Sequence, residues 1–130
     1  MINSPFGYAD IFLSTTATTG VVENRILTSN GAQAIPVNGW ETIIIPPTLT
    51  AGPAFTLNLT LNTAELRIGS KLTVIVTTTA TETVTYGTGF LTGQTGITGV
   101  AGKTFVQTFI YSTTATGNLF IATAASKQVN

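Results

Sequence analysis

Two short stretches and a set of scattered carboxylates hold residue types on which a reaction or a bound ligand can be built, and each falls short of its motif. Gly102-Lys103-Thr104 has the ending of a phosphate-binding loop, in which backbone amides and a lysine cradle phosphate oxygens. That loop needs a glycine five residues before Gly102, where Ile97 stands, and a helix after it. The residues that follow, Phe105 to Tyr111, alternate as a strand does. Gly87-Thr88-Gly89 opens like a dinucleotide fingerprint, but neither the third glycine nor the helix arrives. Two of the carboxylates Asp10, Glu23, Glu41, Glu65 and Glu82 could in principle serve glycoside hydrolysis, but each sits singly among Thr, Val or Ala with no polar cluster around it. They also lack the Asp-rich spacing of a calcium loop.

The chain has no histidine and no cysteine. The six serines therefore lack the usual base, and the commonest transition-metal ligands, thiolate nucleophiles and disulfides are all missing. These residues imply neither an enzyme nor a cofactor, and no metal site.

Composition narrows the partners. Charged residues make up 8% of the 130, against roughly 25% in an average soluble domain. The net charge is zero, with Arg25, Arg67, Lys71, Lys103 and Lys127 scattered along the chain. No basic patch can be assembled from them, which argues against nucleic acid and against an anionic membrane surface as partners. With 43% apolar residues the chain is not a disordered one. The 28 threonines take the place of Lys and Glu, a choice that suits the solvated face of a pleated sheet. Few charges are then left to guard the sheet edges, which hints at an assembly. The opening MINSPFGYAD lacks the basic and apolar regions of a signal peptide, and no run approaches the ~20 apolar residues of a membrane span.

The length fits one core. Residues 1–20 are expected to form an N-terminal strand or docking arm, 21–123 a β-sandwich, and 124–130 a flexible tail. Strands are predicted over Val21 to Leu27, Ala32 to Val37 (ended by Pro36), Glu41 to Ile45, Phe55 to Leu61, Lys103 to Tyr111 and Asn118 to Thr123. Lys71 to Phe90 reads as one β-hairpin turned at Thr79-Ala80-Thr81. Thr63 to Gly69 is at most a single helical turn, and the glycine-punctuated stretch after the hairpin is a long connection with a short strand inside. The whole is an all-β antiparallel β-sandwich, jelly-roll-like, of about eight or nine short strands. Leu57, Leu59, Leu72, Val74, Val76 and Phe109 are expected in its core. Aromatic residues gather near the N-terminus (Phe6, Tyr8, Phe12) and in the strand carrying Phe105 and Tyr111, and these five are the expected assembly interface. Trp40, the single tryptophan, is a second place to look for an anchor.

Thr83-Val84-Thr85-Tyr86-Gly87-Thr88-Gly89-Phe90, preceded by Lys71 to Val76 and followed by Gly102-Lys103-Thr104-Phe105-Val106, resembles small β-sandwich proteins of tailed-phage virions. Those carry a TVTFGTGF-type hairpin and then a GK-[ST]-x-x-x-F strand; they include capsid decoration (cement) proteins and head-fibre or tail-fibre modules. The likeness spans roughly Leu57 to Tyr111. Here Thr77-Thr78-Thr79-Ala80 replaces the usual Asp-Gly-rich turn. What the resemblance implies is a non-enzymatic virion structural protein, made in the host cytoplasm and placed on the capsid surface. It would bridge capsomers as a homotrimer bound to the major capsid protein. The alternative is a phage fibre or adhesin-type module that binds a receptor or glycan. A capsid-shell protein of a tailless virus would be longer and more basic.

Overall fold

The computed structural model describes residues 22–26, 33–50 and 55–130. Among these residues there are ten strands and no helix. They are β1 Val22–Ile26, β2 Gln33–Val37, β3 Glu41–Ile45, β4 Phe55–Leu61, β5 Lys71–Thr78, β6 Thr83–Tyr86, β7 Ile97–Thr98, β8 Lys103–Thr114, β9 Gly117–Ala122 and β10 Lys127–Gln128. Thr63 to Gly69 is a turn in which the amides of Glu65 and Leu66 both donate to Asn62 O at 3.0 Å.

The strands form two sheets, as expected for a sandwich. Sheet A has six strands in the order β1-β3-β5-β8-β10, with β9 also on β8, and sheet B has four in the order β2-β4-β6-β7. The expected all-antiparallel, jelly-roll-like pairing gives way to a mixed one. Pairs β1/β3, β3/β5, β2/β4 and β4/β6 are parallel. Only β5/β8, β8/β9, β8/β10 and β6/β7 are antiparallel. The first six strands alternate between the sheets, each lying parallel to the strand two places before it. The chain thus winds as a flattened coil, closed at its later end by antiparallel strands.

The predicted hairpin Lys71 to Phe90 is therefore an arch: β5 lies in sheet A, β6 in sheet B, and the two do not pair. The physical reason is that alternation records only which face is buried. Leu72, Val74, Val76 and Thr78 of β5 and Val84 of β6 all turn inward, and an arch satisfies both patterns across the core. The connection also lacks the Gly or Asn that a tight hairpin turn needs. It is braced instead by the Glu82 carboxylate, whose Oε1 accepts from Thr79 N at 2.8 Å and Thr79 Oγ1 at 3.2 Å.

Leu57, Leu59, Leu72, Val74, Val76 and Phe109 are 0–3% exposed, as the periodicity predicts. Tyr86, Phe90 and Phe109 pack with ring centroids 4.8–5.0 Å apart, joining the strands of both sheets and the loop between them. The stretch read as a flexible tail is held: Lys127 and Gln128 pair with Val106 and Phe105, and Val129 N donates to Thr104 O at 2.9 Å. On the edge of β8 away from β5, β9 covers only Phe109 to Thr114, and the rest of that edge takes up these last residues.

Candidate functional site

The residues expected to form an assembly interface separate into two groups. Phe6, Tyr8 and Phe12 lie outside the described residues. Phe105 and Tyr111 are 7% and 1% exposed, members of the protein's own core, and this corrects their placement at an interface. Their side of β8 is the inward one, shared with Gln107 and Phe109. The opposite side carries Val106, Thr108 and Ile110 outward.

Those outward residues belong to a broader surface. Across the outer face of sheet A the register sets Ile75 beside Val106, and Ile110 beside Ile121. Ile43, half-buried like Ile75, stands beside Thr73, and Thr73 beside Thr108. Hydroxyl pairs knit the same face: Thr77 with Thr104 at 2.9 Å and Thr108 with Thr123 at 2.7 Å. On β3, β5 and β10 its charges are Glu41, Lys71 and Lys127, at the ends of strands. The result is a surface of mainly β-branched side chains, able to bury area against a partner.

The two glycine motifs take part in the backbone pairing of the sandwich. Gly102-Lys103-Thr104 turns the chain into β8, with Gly102 at φ 67° and its amide donating to Thr78 O. No helix follows to receive a phosphate. Gly87-Thr88-Gly89 runs along β4: Gly87 N donates to Leu57 O, Leu59 N donates to Thr88 O, and Thr88 N donates to Asn58 Oδ1 at 2.9 Å. Among the described residues no three His, Cys, Asp or Glu side chains gather as a metal site would require.

The Glu82 carboxylate is buried, at 8% exposure. Burial pushes its pKa up, but donors from Thr79, from its own amide and from Ala80 outweigh that and hold it below the ordinary 4.5. Its Oε2 is buried without a partner among the described residues. The arrangement braces a turn.

A polar network missed in the sequence links the sheets. Gln107, 2% exposed, accepts from the Tyr86 hydroxyl at 2.8 Å and donates to Thr95 O and Ala124 O, each at 3.3 Å. Burial pushes the Tyr86 phenol well above its ordinary value. Nearby, Gln94 donates to Phe120 O at 3.2 Å and accepts from Ala122 N. Gln94 and Gln107 line an open pocket of about 380 Å³ with Leu91, Ile121 and Ala125. Both glutamines already hold protein partners on both ends of their amides, so a ligand would have to displace those bonds. The signal was present in the sequence, since Gln107 occupies an inward position between Phe105 and Phe109.

Trp40 is 48% exposed and Ile68 58% exposed. They sit on the β2–β3 and β4–β5 connections, which cross between the sheets at the same end of the sandwich. The two connections are tied there by Lys71 N donating to Trp40 O at 2.8 Å. No family model matches the chain, and searches of curated proteins and of solved structures find no match.

Proposed function

We propose that this protein is a non-enzymatic structural component of a tailed-phage virion, a decoration protein that stabilises the head by docking on the major capsid protein across capsomer junctions. The observation that carries this reading is the outer face of sheet A. It offers Ile43, Ile75, Val106, Ile110 and Ile121 among threonines, with few charges to desolvate. A surface of that kind contributes through buried area, and a lattice multiplies a modest contact by multivalency. It needs no titratable group and no cofactor, which agrees with a chain of so little charge. The resemblance of Leu57 to Tyr111 to virion β-sandwich proteins supplies the class of partner and the place, the capsid surface.

Co-sedimentation with capsids that lack the protein tests the reading. Saturable binding that raises the capsid melting temperature, and is lost in Ile75→Lys and Val106→Lys, is the expected result. Absence of binding by the wild type overturns it. The exposed indole of Trp40 favours one rival, a fibre or adhesin-type glycan-binding module. Binding to a neutral glycan that disappears in Trp40→Ala, with none to capsids, would establish that instead.

A further inference from the structure

The two sheets end differently at β1 and β2. Lys71 N donates to Trp40 O, and Glu41 is in register with Lys71. In a parallel ladder a residue bonds to the two neighbours of its register partner, while that partner faces the other way. The even-numbered residues of β3 therefore bond toward β5, and Glu41, Ile43 and Ile45 toward β1. Carried one strand further by the register Asn24↔Ile43, Glu23 and Arg25 bond to β3. Val22, Asn24 and Ile26 turn their amides and carbonyls to the free edge.

In sheet B, Asn62 N donates to Val37 O at 3.0 Å with Val37 in register with Leu61. The same rule turns Ala34 and Pro36 to the free edge, and proline has no N–H to offer. Among the described residues, the β2 edge of sheet B is thus closed to a further strand and the β1 edge of sheet A is open. Among the described residues nothing covers the β1 edge.

We infer that the β1 edge binds a second copy of this chain, β1 pairing antiparallel with β1 of the partner about a two-fold axis at Asn24. The edge residues fit this in both hydrogen bonding and charge. Val22 with Ile26 of the copy, Asn24 with its own counterpart, and Ile26 with Val22 form the pairs that exchange both bonds. The intervening pairs are Glu23 with Arg25 and Arg25 with Glu23, where cross-strand neighbours stand closest. Read as Val-Glu-Asn-Arg-Ile, the strand is its own antiparallel complement. Parallel pairing would set Glu23 against Glu23 and Arg25 against Arg25.

The charges also exclude other strands. Glu23 and Arg25 stand in register with Thr42 and Ile44, and an edge strand that carries a charge at each of these positions rejects a strand that brings none of opposite sign. A two-fold contact is isologous, and so differs from the three-fold arrangement the resemblance implies. It is independent of what the assembly docks on.

Light scattering on the purified full chain at tens of micromolar tests this. The wild type is expected as a dimer, and Glu23→Arg and Arg25→Glu as monomers when each is alone. Mixing the two variants should restore the dimer, because each mixed pair then opposes two bases to two acids. Asn24→Pro removes a donor that serves only the edge, and should give a monomer with the wild-type far-UV spectrum. Since the chain has no cysteine, Asn24→Cys adds a single thiol whose counterpart lies at a Cα separation of about 5.5 Å, within disulfide reach. Mild oxidation should cross-link it, and should leave Thr116→Cys in the β8–β9 turn uncross-linked. A wild-type monomer or trimer, or a dimer that survives Glu23→Arg and Asn24→Pro, overturns the inference. So does failure of folded Asn24→Cys to cross-link.

Discussion

The hydroxyl of Tyr86 on β6 donates to Oε1 of Gln107 on β8 at 2.8 Å, a side-chain bond that passes through the core from sheet B to sheet A. A buried acceptor left without its donor costs about 1–3 kcal/mol. Tyr86→Phe keeps the ring packing against Phe90 and Phe109 and removes only the hydroxyl. Urea unfolding is expected to show a loss of that size with an unchanged slope. The phenol also sets a pH dependence. Its folded-state pKa is raised above 10.0, so the neutral form contributes fully below pH 10 and stability falls as the pH rises beyond it. In Tyr86→Phe that alkaline loss should be shallower.

Glu82 gives the opposite dependence. Its pKa is held below 4.5 by the donors of the arch, after burial has pushed the other way. A group with a depressed folded-state pKa contributes above its unfolded value and ceases to as the pH falls through its folded one. Thermal melts should therefore show stability declining below about pH 4.5, with less decline in Glu82→Gln. An acid limb identical in the two proteins would show that the brace on Thr79 is without consequence.

At Gly89 the backbone stands at φ 90°, and an added Cβ would meet Leu59 Cβ at 2.7 Å. Gly89→Ala thus combines a left-handed conformation with an overpacked contact, each costing on the order of 1–3 kcal/mol. Gly93 shares the positive φ, at 84°, but has open space around the added atom. Gly93→Ala should carry the backbone cost alone. The difference between the two in chemical denaturation isolates the contact with β4.

The strands themselves were legible because their cause is local. Glu41–Ile45 and Phe55–Leu61 fall where alternation puts them, and the predicted core residues are buried. Pairing direction was not legible, since period 2 is the same in a hairpin and in an arch. Nor was the docking of residues 127–130, which depends on the length of β8 rather than on anything in the last residues. Phe105 and Tyr111 were expected to face a partner because both faces of their strand are apolar; the larger side chains fill the core, and Val106 and Ile110 are left outside. Gln107 shows how one polar residue at an inward position can mark a link between sheets.

Pro36 supplies the last prediction. It lies within β2 rather than ending it, in register with Thr60, and it faces the free edge of sheet B. At that position it costs β4 no hydrogen bond, and it denies one to any incoming strand. Replacing it with a residue that has an N–H and favours strands should open the edge. Pro36→Val is expected to keep the wild-type far-UV spectrum while shifting light scattering toward tighter or heavier assemblies, most strongly at high protein concentration. Pro36→Lys serves as the control, because it restores the amide but places a charge on an exposed edge position. Equal assembly in wild type and Pro36→Val would show that proline does not guard this edge.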